Sequence, residues 1–107
     1  MTGSYYLLPD VEAEVEVPRD GILSRTLYSD EHVKVVVFGF DAGQELSEHT
    51  ASMPAILNFV RGEADLTLGD DPAQASAGTV VYMPPNLQHS VRARTPVVML
   101  LTLVRPG

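Results

Sequence analysis

The stretch Gly78-Thr79-Val80-Val81-Tyr82-Met83-Pro84-Pro85-Asn86-Leu87-Gln88-His89 decides the interpretation of this chain, because it leads from a glycine through a short apolar run and a proline turn to a histidine. A second stretch, Gly43-Gln44-Glu45-Leu46-Ser47-Glu48-His49, again leads from a glycine to a histidine, and Gly62 follows it after another apolar run. Two of the three histidines in the chain therefore lie in glycine-framed segments. His49 and His89 are the first candidates for functional residues.

The residues around these segments alternate between apolar and polar, and this period of two is typical of β-strands. Residues 11–17 alternate valine or alanine with glutamate, which predicts a strand with one solvent-exposed face. Residues 55–61 and 63–68, on either side of Gly62, are predicted to form a hairpin. The other predicted strands are 22–28, 32–40, 79–83, 88–93 and 96–104. No segment shows sustained helical spacing, so the sequence predicts an all-β sandwich or barrel.

The spacing of six residues resembles the two sequence motifs of the cupin superfamily of small β-barrels: Gly43, His49, Gly62, Gly78, Pro84 and His89. The resemblance covers about half of the chain and implies a double-stranded β-helix, or jelly-roll barrel, with residues 1–107 as a single cupin domain. The interior of the motifs differs from the family pattern. Ala51 and Ala55 stand where the family has a second histidine and a glutamate, and Asn86 replaces the last glycine.

The resemblance implies that His49 and His89 point into the barrel from neighbouring strands. Neutral imidazole is a common ligand for divalent transition metals, so Zn, Fe, Mn or Ni is the expected cofactor. Typical metal-binding cupins supply four protein ligands, and two remain here. We predict a small stand-alone cupin with a reduced two-histidine metal site that acts on a small organic acid or aromatic compound. Whether the chain is an enzyme stays open.

Two alternatives stay open beside the metal site. The first is a metal-free module that binds or senses a small molecule, in which the two histidines orient the ligand. The second is a barrel that only dimerises. The loss of two family ligands favours these alternatives, whereas the retained histidine pair favours a functional interior.

Three more residues are predicted to bind the ligand. Asn58 interrupts an apolar strand, and strict alternation from Ala55 places it on the outer face unless a β-bulge reverses the assignment. Tyr82 is consistent with a pocket, a core or an interface position, and Gln88 lies beside His89 at the expected pocket rim. Glu45 has the same strand parity as His49, so it is either an inward-facing residue or a surface residue near a loop.

The composition excludes several functions. Without cysteine, the chain can form neither a disulfide framework nor a thiolate metal site. A net charge of −7, with Lys34 as the single lysine, leaves no basic stripe for nucleic acid. We see neither a signal peptide nor an apolar run long enough to span a membrane. The sequence predicts a cytoplasmic protein that binds neither nucleic acids nor membranes.

The range 96–104 is almost wholly apolar. A strand of this kind is expected to be buried on both faces or to lie at an interface. The N-terminal run Tyr5-Tyr6-Leu7-Leu8 adds further apolar surface. We therefore predict a homodimer that binds a small-molecule ligand.

Overall fold

Strands form throughout this chain because runs rich in valine, leucine and phenylalanine lie between glycine and proline turns. The computed structural model describes residues 4–106, except for the side chains of Glu48 and His49. The strands in this part of the chain are β1 (Ile22–Ser29), β2 (Val33–Phe40), β3 (Glu45–His49), β4 (Ala55–Arg61), β5 (Ala64–Leu68), β6 (Asp71–Ala75), β7 (Val80–Met83), β8 (His89–Ala93) and β9 (Val97–Val104). The prediction of an all-β chain is confirmed. Within residues 4–106, no helix has the length and apolar character needed to cross a bilayer.

The strands form two antiparallel sheets with one apolar core between them. The first sheet has the order β1-β2-β9-β4-β7, and the second has the order β3-β8-β5-β6. Both sheets contribute to the core, whose larger members are Phe40, Leu57, Phe59, Leu66, Met83, Val91 and Met99. Burial of each such side chain stabilises the fold by about 1.5–3 kcal/mol. The predicted two-layered barrel is therefore confirmed.

The predicted hairpin of residues 55–61 with 63–68 does not form. β4 pairs with β7 and β9 in the first sheet, whereas β5 pairs with β6 and β8 in the second. Gly62 stands between them with a φ of +89°. A Cβ at this position would lie 2.0 Å from the carbonyl oxygen of Pro96. Gly62 is thus the corner at which the chain passes from one sheet to the other, and only glycine fits there.

The first three residues of β9, Val97, Val98 and Met99, are buried on both faces, as one of the two interpretations of its sequence predicted. Val97 and Met99 point into the core between the sheets. Val98 and Leu100 point to the opposite face and belong to a second apolar cluster. The first half of β9 is therefore covered within a single chain, whereas Leu100, Leu101 and Leu103 are half-buried and Val104 is exposed.

Residues 5–17 cover the second apolar cluster, and we call this segment the N-terminal strap. Its residues Leu8, Val11, Val15 and Val17 pack against Leu27, Val37 and Val98 on the outer face of the first sheet. A Cβ on Gly39 of β2 would lie 2.9 Å from the carbonyl oxygen of Glu16. The strap therefore crosses β2 in direct backbone contact, and glycine makes this approach possible.

The prediction of a strand over residues 11–17 is wrong. Val11–Glu14 forms a single 3₁₀ turn, and Asp10 caps it by accepting a hydrogen bond of 3.1 Å from the N–H of Glu12. The cap satisfies local backbone donors, so this segment does not need a partner strand. Glu12 and Glu16 are exposed, as the alternation predicted, and the Glu14 carboxylate lies 3.3 Å from the Arg25 guanidinium.

Candidate functional site

His49 and His89 lie directly opposite each other where β3 pairs with β8. The register passes from Leu46↔Val91 to His49↔His89, so β3 contains one residue more than β8 over this interval. Such an insertion is a β-bulge, which locally changes the face to which residues point. The two histidine backbones are thus brought together as predicted. The side chain of His49 lies outside the described residues, so its contacts stay a prediction.

The bulge also explains why Glu45 does not face the interior. Leu46 packs against the core, and it pairs with Val91, which is buried. Glu45, one residue earlier, is exposed and lies opposite Arg92. Strict alternation gave Glu45 the parity of His49, and this option was wrong because the extra residue in β3 reverses the parity between them.

The ring of His89 is buried and oriented by the backbone. His89 is 6% exposed, and its Nδ1 lies 2.9 Å from the carbonyl oxygen of Leu87. A carbonyl oxygen can only accept a hydrogen bond, so Nδ1 carries the proton in this arrangement. In the neutral ring, the lone pair then lies on Nε2, the nitrogen that can accept a hydrogen bond or coordinate a metal. This is the usual way in which a protein prepares a histidine for coordination.

The loop before His89 is fixed by proline and by a left-handed residue. Pro84 and Pro85 end β7 because proline cannot donate to a strand ladder. Asn86 then adopts a φ of +68°, a conformation that asparagine tolerates better than most residues other than glycine. Its N–H donates a hydrogen bond of 2.7 Å to the carbonyl oxygen of Ala51. The replacement of the family glycine by Asn86 therefore preserves the turn that delivers His89.

A small cavity adjoins His89 between the sheets. It has a volume of about 30 Å³, and its other described walls are all apolar: Phe38, Leu46, Leu57, Val91, Met99 and Leu101. A water molecule needs about 10–15 Å³ of such space. The cavity has room for one ion, for one or two waters, or for the donor atoms of a ligand. It has no room for the body of an organic molecule, since such sites usually offer about 300–1,000 Å³.

The ligand set around His89 is incomplete in the part of the chain that the structure describes. Residues 4–106, without the side chains of Glu48 and His49, contain no group of three or more His, Cys, Asp or Glu that could hold a metal ion. Ala55 is 2% exposed and belongs to the core, so a methyl group occupies the place that the family gives to glutamate. Ala51 lies beyond the end of β3.

Asn58 and Tyr82 do not line this cavity. Leu57 and Phe59 point into the core, so Asn58 between them lies on the outer face of the first sheet. Met83 occupies the inward position at the end of β7, which leaves Tyr82 on the outer face with 62% of its surface exposed. Both placements follow from the period of two, since the register shift in β4 lies between Phe59 and Arg61, beyond Asn58. A ligand held by these two residues would lie outside the barrel.

Gln88 immediately precedes His89 and is not among the residues that line the cavity. It is exposed, and its carbonyl oxygen accepts a hydrogen bond of 2.7 Å from the N–H of Gly69. Its backbone therefore ties the loop before β8 to the turn after β5. Ligand binding by the Gln88 side chain stays a prediction.

The sequence interpretation missed the apolar walls of the cavity. Phe38, Leu57 and Leu101 come from three different strands of the first sheet. Alternation within each strand identifies its inward residues, but it does not reveal which strands are neighbours. The order β2-β9-β4 brings these three residues together, and this order is a property of the fold.

Comparisons with known proteins agree with this architecture. A Streptococcus pyogenes protein of unknown function is 29% identical, with 97% of this chain and 91% of that chain covered and a TM-score of 0.86. A RmlC-like cupin from Desulfovibrio desulfuricans is 28% identical over 100% of both chains, with a TM-score of 0.78. An uncharacterized Streptomyces coelicolor protein is 26% identical over 101 residues, which are 94% of each chain.

A family model for the cupin domain matches residues 36–104. This range contains both histidine segments and extends from β2 to the end of β9. The sequence motifs have clear structural counterparts: the two antiparallel sheets, the turn before His89, and the positive φ angles at Gly43, Gly62 and Gly78. The chain belongs to the cupin family.

Proposed function

We propose that this cupin binds one divalent transition metal ion through His49 and His89 and leaves the remaining coordination positions to water or to a small ligand. The observation that carries the proposal is the register of β3 and β8, which sets the two histidines opposite each other. Residues opposite each other in an antiparallel pair have Cβ atoms about 4.5–5.5 Å apart. Two imidazoles at this spacing can reach a common ion.

Three features of His89 support the proposal. The hydrogen bond of Nδ1 to the Leu87 carbonyl orients the ring and, in its neutral form, places the lone pair on Nε2, the nitrogen that can coordinate. Burial of the ring excludes bulk water, which otherwise competes for the ion. The adjoining cavity of about 30 Å³ has the size of an ion with a water or a ligand donor atom.

A bound divalent ion would supply a Lewis acid and an acidified water molecule at this position. The chain itself contributes the two imidazoles, the backbone carbonyl that orients one of them, and an apolar wall. Because the wall leaves little space, a small organic acid or aromatic compound would present only its donor atoms to the interior. The body of such a compound would lie outside the cavity.

A metal-free binding or sensing module remains the second candidate. It is favoured by the lack of a third ligand among the described residues and by the buried methyl group of Ala55 in the family's glutamate position. In this case one protonated and one neutral imidazole would hold an anionic group. Binding of such an anion would strengthen as pH falls, whereas metal binding would weaken, because a protonated imidazole cannot coordinate.

A Co²⁺ titration followed by visible absorption tests the ligand assignment. We expect a saturable d–d band at one equivalent in the wild type, and its loss in both His49→Ala and His89→Ala. The third histidine provides the control: His32 has a side chain that is 71% exposed, so His32→Ala should titrate like the wild type. A full band in the variant that lacks both His49 and His89 would refute the site.

A further inference from the structure

A second cavity, of about 390 Å³, lies outside the barrel between the N-terminal strap and the outer face of the first sheet. The strap contributes Tyr6, Leu8 and Val11. The sheet contributes Leu27, Tyr28, Val35 and Leu100. This volume falls within the range of about 300–1,000 Å³ that small-molecule sites occupy, unlike the cavity beside His89. The structure therefore offers space for an organic molecule on its outer face.

A β-bulge in β1 shapes this cavity. Thr26 pairs with Val36 and Tyr28 pairs with Val35, so Leu27 is the extra residue. Successive side chains of a regular strand point to opposite faces, but Leu27 and Tyr28 both line the cavity. The bulge thus adds an aromatic ring with a hydroxyl group to a wall that is otherwise aliphatic on the sheet side.

The hydroxyl group of Tyr28 gives the cavity a polar end with a defined preference. It donates a hydrogen bond of 2.5 Å to Oδ2 of Asp30, while Oδ1 of Asp30 accepts from the N–H groups of His32 and Val33 at 2.7 and 2.9 Å. These hydrogen bonds lower the pKa of Asp30 to about 2, and the bond from Tyr28 has the largest effect. Because the hydroxyl hydrogen is engaged with a carboxylate, the Tyr28 oxygen is left as an acceptor for a donor group of a ligand.

The charges and rings around this end favour a cation. Asp30 is anionic, and the neighbouring Glu31 carboxylate is 86% exposed and lies 3.7 Å from His32 Nε2, an ion pair only when the histidine is protonated. The rings of Tyr6 and Tyr28 have centroids 5.6 Å apart, and such faces attract cations. Within residues 4–106, no ion pair joins Asp30 to Lys34 or Arg105. Lys34 pairs with Ser29, the residue after Tyr28 and therefore on the other face, and Arg105 donates to the Ser29 hydroxyl.

We propose that this cavity binds an amphiphilic amine, a molecule with an apolar chain or ring and a primary ammonium group. The apolar part would pack against Leu8, Val35 and Leu100, and the ammonium group would donate to the Tyr28 oxygen beside the two aromatic rings. The site lies on the opposite face of the sheet from His89. The cavity proposal can therefore be tested independently of the proposed metal site.

Isothermal titration calorimetry with octylammonium and octanoate tests the proposal, since the two probes share the chain and differ in the charge of the headgroup. We expect saturable binding of one octylammonium per chain, at least about tenfold tighter than octanoate. Hydrogen bonds to charged groups are worth more than this difference requires. Absence of saturable octylammonium binding, or equal or tighter binding of octanoate, would overturn the proposal.

Asp30→Asn tests the polar end without changing the cavity walls. The new carboxamide can donate to the Tyr28 oxygen, which turns the hydroxyl hydrogen toward the ligand. We expect the tenfold preference for octylammonium to fall to about twofold or less. Asp70→Asn is the matched control, because it removes the same charge at an exposed position in the turn between β5 and β6 of the second sheet, and it should keep the preference. An unchanged preference in Asp30→Asn would contradict the assignment of the polar end.

Val11→Trp tests the apolar walls by filling the cavity from the strap side. We expect it to abolish binding of both probes, with far-ultraviolet circular dichroism reporting whether the fold is kept. Amide chemical-shift mapping of the wild type gives an answer even if this variant misfolds. Octylammonium should shift the resonances of Leu27, Val35 and Leu100 and leave that of Val91 unchanged. Shifts confined to other parts of the chain would overturn the site.

Discussion

Replacement of Gly62 by alanine tests whether this glycine is the corner between the two sheets. Its φ is +89°, and an added Cβ would lie 2.0 Å from the carbonyl oxygen of Pro96, far inside the ordinary contact range of 3.4–4 Å. Hydrogen bonds between Glu63, the residue after Gly62, and the turn before β9 hold these two backbone segments together. The N–H of Arg94 and the N–H of Thr95 donate to the Glu63 carbonyl at 2.8 and 3.3 Å, and the Thr95 hydroxyl accepts from the Glu63 N–H at 2.9 Å.

The expected cost follows from these contacts. A non-glycine residue with positive φ costs about 1–2 kcal/mol. Relief of the clash requires the two backbones to separate, which disrupts three hydrogen bonds worth about 1 kcal/mol each. Gly62→Ala should therefore lower the free energy of unfolding by about 4–5 kcal/mol, a large part of the 5–15 kcal/mol that is typical of a domain.

Gly78→Ala is the matched control. Gly78 has a φ of +97°, and an added Cβ would meet nothing within 4 Å. Only the conformational cost of about 1–2 kcal/mol applies there. Urea denaturation followed by circular dichroism should place Gly62→Ala about 3 kcal/mol below Gly78→Ala. If the two variants lost the same stability, the close approach of Gly62 to Pro96 would not constrain the fold, and our description of the corner would be wrong.

Three further predictions address the loop, the strap and the oligomeric state. Asn86→Ala should lower the free energy of unfolding by about 1–2 kcal/mol in urea because of the φ of +68°, whereas a loss of the same size in Asn86→Gly would contradict that explanation. The pKa of Asp30 is lowered from 3.8 to about 2 in the folded chain, so its stabilising effect relative to Asp30→Asn should be complete above pH 3.8 and should disappear as pH falls through about 2. Urea titrations of both proteins over this pH range measure the effect, and a stability difference that does not change with pH would contradict the prediction. We propose that the chain forms a homodimer through the outer face of β7, where Val80 and Tyr82 are 61% and 62% exposed. Light scattering should then show that Tyr82→Glu is a monomer. A wild type that is monomeric across micromolar concentrations would exclude the dimer.

The sequence predicted those parts of the structure that depend on local geometry. Gly43, Gly62 and Gly78 all have positive φ, so the framing glycines mark real turns. Asn86 keeps the same kind of backbone conformation, which explains why the motif works without its last glycine. His89 starts β8 directly after this turn. Most strand positions were likewise predictable, because alternation and turn residues are local signals.

Most of the features that escaped prediction depend on residues distant in sequence. The bulges in β1 and β3 are defined by a partner strand, and they redirect Tyr28 and reverse the parity between Glu45 and His49. Gly62 resembles a hairpin turn in sequence, but β4 and β5 on either side of it belong to different sheets. The strap alternates like a strand, yet Asp10 caps a 3₁₀ turn there. Pairing partners and caps decide such cases, and neither follows from periodicity.

The metal content of the protein, purified without an affinity tag and without added metal, tests the central claim most directly. Elemental analysis should find about one divalent transition metal ion per chain in the wild type, and almost none in the variant with both His49→Ala and His89→Ala. Each single variant should lose as much as the double variant, because the two residues act as a unit. The ion should also dissociate as pH falls below about 6. A wild type without stoichiometric metal, or a double variant that keeps it, would contradict the account.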